Sequence, residues 1–316
     1  MVGWYYLLKF LEVSFVIYYV ANFMKKDKMI GFLFAVSISL ESLLAFSQFL
    51  LHHSIGGIMY FFGERSFSSL TPGIANASIN GQLVLRPYGT FSHPNVLAGF
   101  LLIGIIIAWH FLKNEKGFIK YFLLVSTSLG VVGILISLSR TTIFLGIGIL
   151  MIVLLRRLSK KWLLALLLFL SFVLILFPTL FYRFMPSTFE ESAVERIQLF
   201  SAAWKMIFES PFFGVGLGNF IPSLPSSSLL QPVHNIFALW TVETGIIGGT
   251  IMVWFVFGLI KKLFNLWKRS SIKIRQSLTL SILLGVSVVV LGMFDHYFLT
   301  LEQGQLLLGV VVGLLW

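Results

Sequence analysis

The stretch GFIKYFLLVSTSLGVVGILISLSRTTIFLGIGILMIVLLRR, Gly117 to Arg157, decides the fold. Two apolar runs, 118 to 138 and 141 to 155, meet at Ser139-Arg140, which reads as a tight helix hairpin with a polar tip. A bilayer core of about 30 Å takes roughly 20 apolar residues per helical span. The first run meets that length, and the shorter second one suits a tilted, partial or re-entrant segment. Outward from this hairpin, further runs lie at 4 to 24, 30 to 51, 94 to 112, 162 to 182, 234 to 260, 277 to 297 and 301 to 316. The last is also short. With 58% hydrophobic and 11% charged residues, and a mean hydropathy of +0.94, the chain lies outside the range of soluble domains. The expected fold is an all-α polytopic integral membrane protein of about nine transmembrane helices, one domain over 1 to 316. The run at 4 to 24 lacks a basic start and a small-residue cleavage pattern, so it reads as a span and not a signal peptide.

A net charge of +11 can signal nucleic acid, but here the basic residues sort by connection. Lys25, Lys26 and Lys28 fall in one loop, and Lys113, Lys116 and Lys120 in another. Arg156, Arg157, Lys160 and Lys161 form a third group, and Lys261, Lys262, Lys268, Arg269, Lys273 and Arg275 a fourth. These are alternate connections, as expected of cytoplasmic loops. The partner of the positive charge is therefore membrane lipid, with no nucleic acid. The N-terminus is placed outside and the C-terminus in the cytoplasm. Two long loops, about 52 to 93 and 183 to 233, then face outward. The second contains Glu190 to Glu209, where Val194, Ile197, Phe200, Trp204, Ile207 and Phe208 are spaced for one helix face, an amphipathic surface helix.

Candidate chemistry collects on that outer side. Five of the seven basic residues assigned there are arginines, and a guanidinium fork matches phosphate oxygens. Arg86, Arg140 and Arg196 are the diphosphate-binding candidates, although each also suits snorkelling to headgroups. Arg140 is flanked by Ser139, Thr141 and Thr142, which offer hydroxyls or serve as an ordinary helix cap. His234, where the second loop enters the run at 234 to 260, is the best general base, with Asn235 beside it. Neighbouring arginine charge is expected to keep its imidazole neutral. His93 and His296 are further outer histidines, His296 adjoining Asp295. Glu243 lies more than two turns into its run and needs a partner, Arg140 or water. There is no cysteine, and no HxH, HExxH or Asp-rich cluster appears, so no metal or other cofactor is expected. Gly214-Val215-Gly216-Leu217-Gly218-Asn219 has no strand-helix unit around it, so it reads as a tight loop near a ligand and not as a dinucleotide site.

Four segments together resemble the O-antigen ligase and O-antigen polymerase family of membrane glycosyltransferases. They are Arg86 to Asn95, Ser139-Arg140-Thr141, Glu195-Arg196 through Trp204 to Phe220, and His234-Asn235 with Glu243 to Gly248. Their order and spacing follow the family pattern from about residue 80 to 250. The resemblance implies a GT-C type enzyme of cell-surface polysaccharide assembly, using a glycan linked to a polyprenyl (undecaprenyl) diphosphate. It implies that Arg140 and Arg196 bind the diphosphate and that His234 activates the acceptor hydroxyl without a metal, on the outer face of the plasma or inner membrane. The acceptor is a glycan, a lipid or a protein. Arg86 matches a family arginine, and Glu243, His93 and Asn235 are supporting candidates. Family members usually carry about twelve spans, so the nine read here fall short at the N-terminal side. A transporter or flippase of lipid-linked sugars also accounts for membrane arginine, as does a non-catalytic scaffold. Polymerase and ligase are not separated by these residues.

Overall fold

The computed structural model describes residues 2–25, 27–79, 82–155, 190–224, 230–269 and 271–316. It is dominated by helices that fall on the apolar runs. In chain order they are α1 (Val2–Tyr19), continued by a π-helical turn Val20–Met24, α2 (Lys28–Leu51), α3 (Pro94–Leu112), α4 (Gly117–Ile136) and α5 (Arg140–Leu155). There follow α6 (Glu190–Glu209), α7 (Ile236–Arg269), α8 (Ile272–Phe294), the single turn α9 (Tyr297–Thr300) and α10 (Glu302–Leu315). Among the described residues five helices are long and apolar enough to cross a membrane, at Trp4–Met24, Lys28–Leu51, Pro94–Leu112, Gly117–Ile136 and Ile236–Arg269. Three shorter apolar helices accompany them. The expected run at 162 to 182 lies outside the described residues. Trp254 (74% exposed) and Phe257 (61%) on α7 show why the solvent must be lipid. A row of bare aromatics on a long helix is not stable in water.

The chain divides into two compact units. One comprises Met1–Leu33, Ile106–Glu115 and Ser192–Trp316. In it α10 packs along α1, where Gly309 and Gly313, four residues apart, allow Val16 and Val20 to come close. Small residues at this spacing let helix backbones approach in lipid. The Lys9 ammonium on α1 is held by Glu12 at 2.8 Å and by Glu302 at the start of α10 at 3.0 Å. Charge carried into a span is compensated there. Helix α8 packs beside α7.

The other unit comprises Phe34–Ile105 and Lys116–Glu191. Its helices meet through a polar contact between the Ser39 and Ser126 hydroxyls, 2.9 Å apart. The loop between α2 and α3 departs from the all-α expectation. It carries a 3-10 helix, Gly57–Phe62, and a hairpin of β1 (Asn76–Ile79) and β2 (Gln82–Leu85), antiparallel with Asn76 opposite Leu85. Asn, Ser and Val disfavour helix, and a four-residue pair is enough to satisfy their backbone. The hairpin is anchored by a core of Phe67, Leu85 and Tyr88.

Buried side chains of α2 fasten this loop from below. Gln48, fully buried, takes the Tyr88 and Gly89 N–H groups on its Oε1 (2.9 and 2.8 Å) and donates to Glu64 (2.8 Å) and Gly89 O (3.0 Å). Glu64 in turn accepts the Ile55 and Gly56 N–H groups at 2.8 and 2.7 Å. Two turns earlier on α2, Glu41 accepts the Thr90 N–H (3.0 Å) and hydroxyl (2.6 Å). Truncating Glu64, 2% exposed, orphans three donors at once. Glu64→Ala is expected to destabilise by about 2–3 kcal/mol, at 1–3 kcal/mol per unsatisfied buried group with partial rehydration. Faster proteolysis within 52 to 93 is the readout, and an unchanged cleavage rate contradicts this role.

Candidate active site

Helix α6 presents two apolar faces. Leu199, Ala203, Met206 and Ile207 are buried in a core with Phe220, Val233, Leu239 and Val242. Ile197, Phe200, Trp204 and Phe208 remain exposed. The spacing argument placed Ile207 on the outer stripe, whereas it belongs to the inner one. A helix with an apolar face on each side is wider in its hydrophobic arc than one moment-like stripe predicts. Arg196 stands on the outer side of α6, one residue before Ile197.

The packing of α6 on the start of α7 shapes a cavity of about 720 Å³. Its polar lining is Arg196, His234 and Asn235, and its apolar wall includes Phe200, Trp204 and Phe294. Asn235 sets the geometry. It is the N-cap of α7, its Oδ1 accepting the Ala238 N–H at 2.9 Å, while its Nδ2 donates to Met293 O at 3.1 Å near the end of α8. An N-cap of this kind supplies about 1 kcal/mol to the helix start. Here it also holds α7 against α8, and His234 is thereby brought to His296. The rings meet edge to face with centroids 5.2 Å apart.

His234 lies just before α7, outside the span. Its Nδ1 is buried and has no hydrogen-bond partner among the described residues. Burial pushes its pKa down to about 4, opposed by the Asp295 carboxylate and assisted by Arg196 and His296. The arginine effect foreseen from the sequence is present but smaller than the burial effect. His296, just beyond α8, is lowered too, chiefly by burial. Its Nδ1 is 2.7 Å from the Thr300 hydroxyl, and its backbone N–H donates to Asp295 Oδ1 at 2.8 Å. In the sequence His296 adjoins Asp295 and is a candidate second base or structural hydrogen-bond partner. The structure makes them neighbours of His234.

Glu243 is cradled by the loop that follows α6. Its carboxylate accepts the backbone N–H groups of Gly218 and Phe220. The same loop repairs a break in α7. At Gly245 the helix is interrupted (φ 74°, ψ 179°). The Ile246 N–H, which a regular helix gives to Val242 O, goes instead to Pro211 O at 2.7 Å. Val242 O and Glu243 O accept from Val215 and Gly216 at 2.9 and 3.0 Å. Irregular backbone at membrane depth persists only where protein satisfies it. The glycine-rich loop is tight and non-helical, as expected, and it serves this join.

In the other unit, Arg86 is 8% exposed. Its Nε donates to Ser137 O at 2.8 Å and its Nη2 to Asn95 Oδ1 at 2.7 Å. It thus braces the turn between α4 and α5. That turn holds Leu138 at φ 53°, a left-handed conformation that is costly for leucine. The Ser139 and Thr142 hydroxyls are 3.1 Å apart, and α5 begins with Arg140, half-buried. His93 Nδ1 accepts the Asn95 N–H at 3.1 Å, beside the start of α3. Arg196, His234, Asn235 and Glu243 therefore belong to one unit, and Arg86, His93 and Arg140 to the other.

Several apolar helices of membrane-crossing length, with polar side chains gathered where helices begin and end, define a multi-pass membrane protein. Residues 123–253 match the family model described as O-antigen ligase, which bears out the family resemblance over that segment. The match spans Arg140, Arg196, His234 and Glu243, while Arg86, His93 and the Asp295-His296 pair lie outside it. It supports a glycosyl-transfer role in polysaccharide assembly, in a glycosyltransferase-like class whose members imply a lipid-linked glycan donor and a glycan acceptor. A search of curated proteins found no match to the chain.

Proposed function

We propose that the chain transfers a glycan from a polyprenyl diphosphate to an acceptor hydroxyl at the extracytoplasmic face of the plasma or inner membrane, as a nine-span protein with its N-terminus outside. One observation carries this reading. A half-buried imidazole lines a cavity that joins a guanidinium to an aromatic wall. An amphiphile with an anionic head and an apolar tail matches that lining.

In the proposed step His234 accepts the proton of the acceptor hydroxyl as the oxygen bonds to the anomeric carbon. The bond from that carbon to the diphosphate oxygen breaks, and its electron pair leaves with the polyprenyl diphosphate. Arg196 stabilises that charge, which preorganised cations do without a metal. Arg140 is a second diphosphate ligand on the family resemblance alone. Asn235 and Glu243 act by holding α7 and its loop in place, while Arg86 and His93 support the turn and the helix start nearest to them.

The test is transfer of labelled glycan by purified protein in EDTA. Arg196→Ala and Arg140→Ala are each expected to lower kcat/KM by about 10²–10³, the usual cost of one charge-stabilising donor. Equal activity in either folded variant removes that arginine from the site. Movement of the lipid-linked glycan across vesicles without transfer by wild type favours the transporter reading.

A further inference from the structure

At the other end of α7 the structure assigns a second site: we propose that it binds the headgroup of an anionic phospholipid. Lys262 is separated from the start of α7 by roughly 40 Å at 1.5 Å per residue, so this site is distinct from the one around His234. The proposal rests on the multi-pass fold and not on the transfer reaction.

A cavity of about 170 Å³ is lined there by Lys25, His110 and Lys262, with Leu266, Leu280 and Trp316 among its apolar wall. These residues come from the ends of α1, α3 and α10, the late part of α7 and the early part of α8. Each alternate chain end of this unit thus arrives on one side, the side that the basic-residue rule assigns to the cytoplasm. No lining side chain is acidic among those described. The nearby Glu115 is spent on an ion pair with Lys28. The Lys262 ammonium stands 5.4 Å from the centre of the Trp316 ring. A cation over an aromatic face keeps its position and its charge.

The volume admits a phosphate diester with part of its glycerol, being several times the ~30 Å³ share of a water. Leu266, exposed beside it on α7, suits an acyl chain. The two lysines, Lys25 and Lys262, favour a lipid of net negative charge over a zwitterionic one, and a basic pocket between spans is a recognised headgroup site. Phosphate chemistry is shared with free inorganic phosphate, so the test separates the two.

Native mass spectrometry of the full chain in detergent, titrated with dioleoylphosphatidylglycerol or dioleoylphosphatidylcholine, measures retained lipid. Wild type is expected to retain one phosphatidylglycerol at concentrations where phosphatidylcholine is lost. The Lys25→Gln/Lys262→Gln variant should bind it about thirtyfold more weakly, from the usual contribution of each basic residue near an anionic lipid. Lys116→Gln/Lys120→Gln, which removes the same charge elsewhere, should bind within about threefold of wild type, lying outside this cavity. Lys262→Glu, at an exposed position, is the second variant should the double variant not fold, with a similar thirtyfold loss expected. Equal weakening in the Lys116/Lys120 variant, no preference between the two lipids, or displacement of the lipid by millimolar inorganic phosphate each overturns the assignment.

Discussion

Replacing His234 with alanine is expected to lower glycan transfer by about 10²–10⁴-fold, the range that a positioned general base contributes. The loss should appear in kcat with little change in KM, because the imidazole acts on the proton that moves in the transition state. The pH profile separates this from a loss of packing. With a folded pKa of about 4, His234 stays neutral at pH 6.5, where an ordinary imidazole is half charged. Wild-type kcat/KM should therefore run level from pH 8 to about 5 and fall only near pH 4. Stability follows the same sign. Between pH 6.5 and 4 the unfolded chain binds a proton that the folded one refuses, so the stability that neutral His234 contributes is present above that window and is lost as pH falls through it. In His234→Ala the low-pH loss of stability should be smaller. A break in kcat/KM near pH 6.5 sinks the assignment of His234 as a buried base.

The join between α7 and its loop gives the second large effect. A Cβ on Gly245 would sit 2.0 Å from Phe212 O, and one on Gly214 would sit 2.2 Å from Val242 O. Both glycines have positive φ, 74° and 68°. Backbone cannot yield as a side chain tip does, so the clash and the left-handed strain add. Gly245→Ala or Gly214→Ala is expected to cost about 2–5 kcal/mol, from 1–2 for the backbone conformation and 1–3 for overpacking. The readout is the denaturation midpoint in detergent. Gly258→Ala is the control, on the same helix with nothing within 4 Å of its added Cβ, and should be neutral or slightly stabilising. A midpoint for Gly245→Ala equal to that of Gly258→Ala contradicts the structural role of the break.

The spans were legible because an apolar run is a local property that needs no tertiary information. His234 and Arg196 were legible as types, a histidine and an arginine on the loop-side ends of apolar segments, and their role came from the family resemblance. The cavity they share was not, because it depends on Leu199, Ala203 and Met206 seating α6 on the start of α7. The roles of Asp295 and His296 stayed open for the same reason. The Asn235 tether to Met293 helps bring that pair to His234, and no spacing rule encodes a bond between two helix ends. Gly245 looked like any glycine in an apolar run until its carbonyl neighbours were found bonded to another segment. Arg86 is a phosphate-ligand candidate by its charge, and its bonds to Ser137 and Asn95 add a bracing contact that only three-dimensional packing reveals.

The mended break in α7 also bears on how the chain is made. Pro211 to Gly216 leaves the ribosome before Val242 to Ile246, and at about 5–20 residues per second the interval is on the order of a few seconds. The segment that will close the gap is thus waiting when the interrupted helix reaches the bilayer. The reverse order would insert a helix with open carbonyls into hydrocarbon, where each costs several kcal/mol. Chain direction here acts as a chaperone of its own backbone, and a circular permutant that synthesises α7 before Pro211 should insert poorly even though its finished contacts are the same.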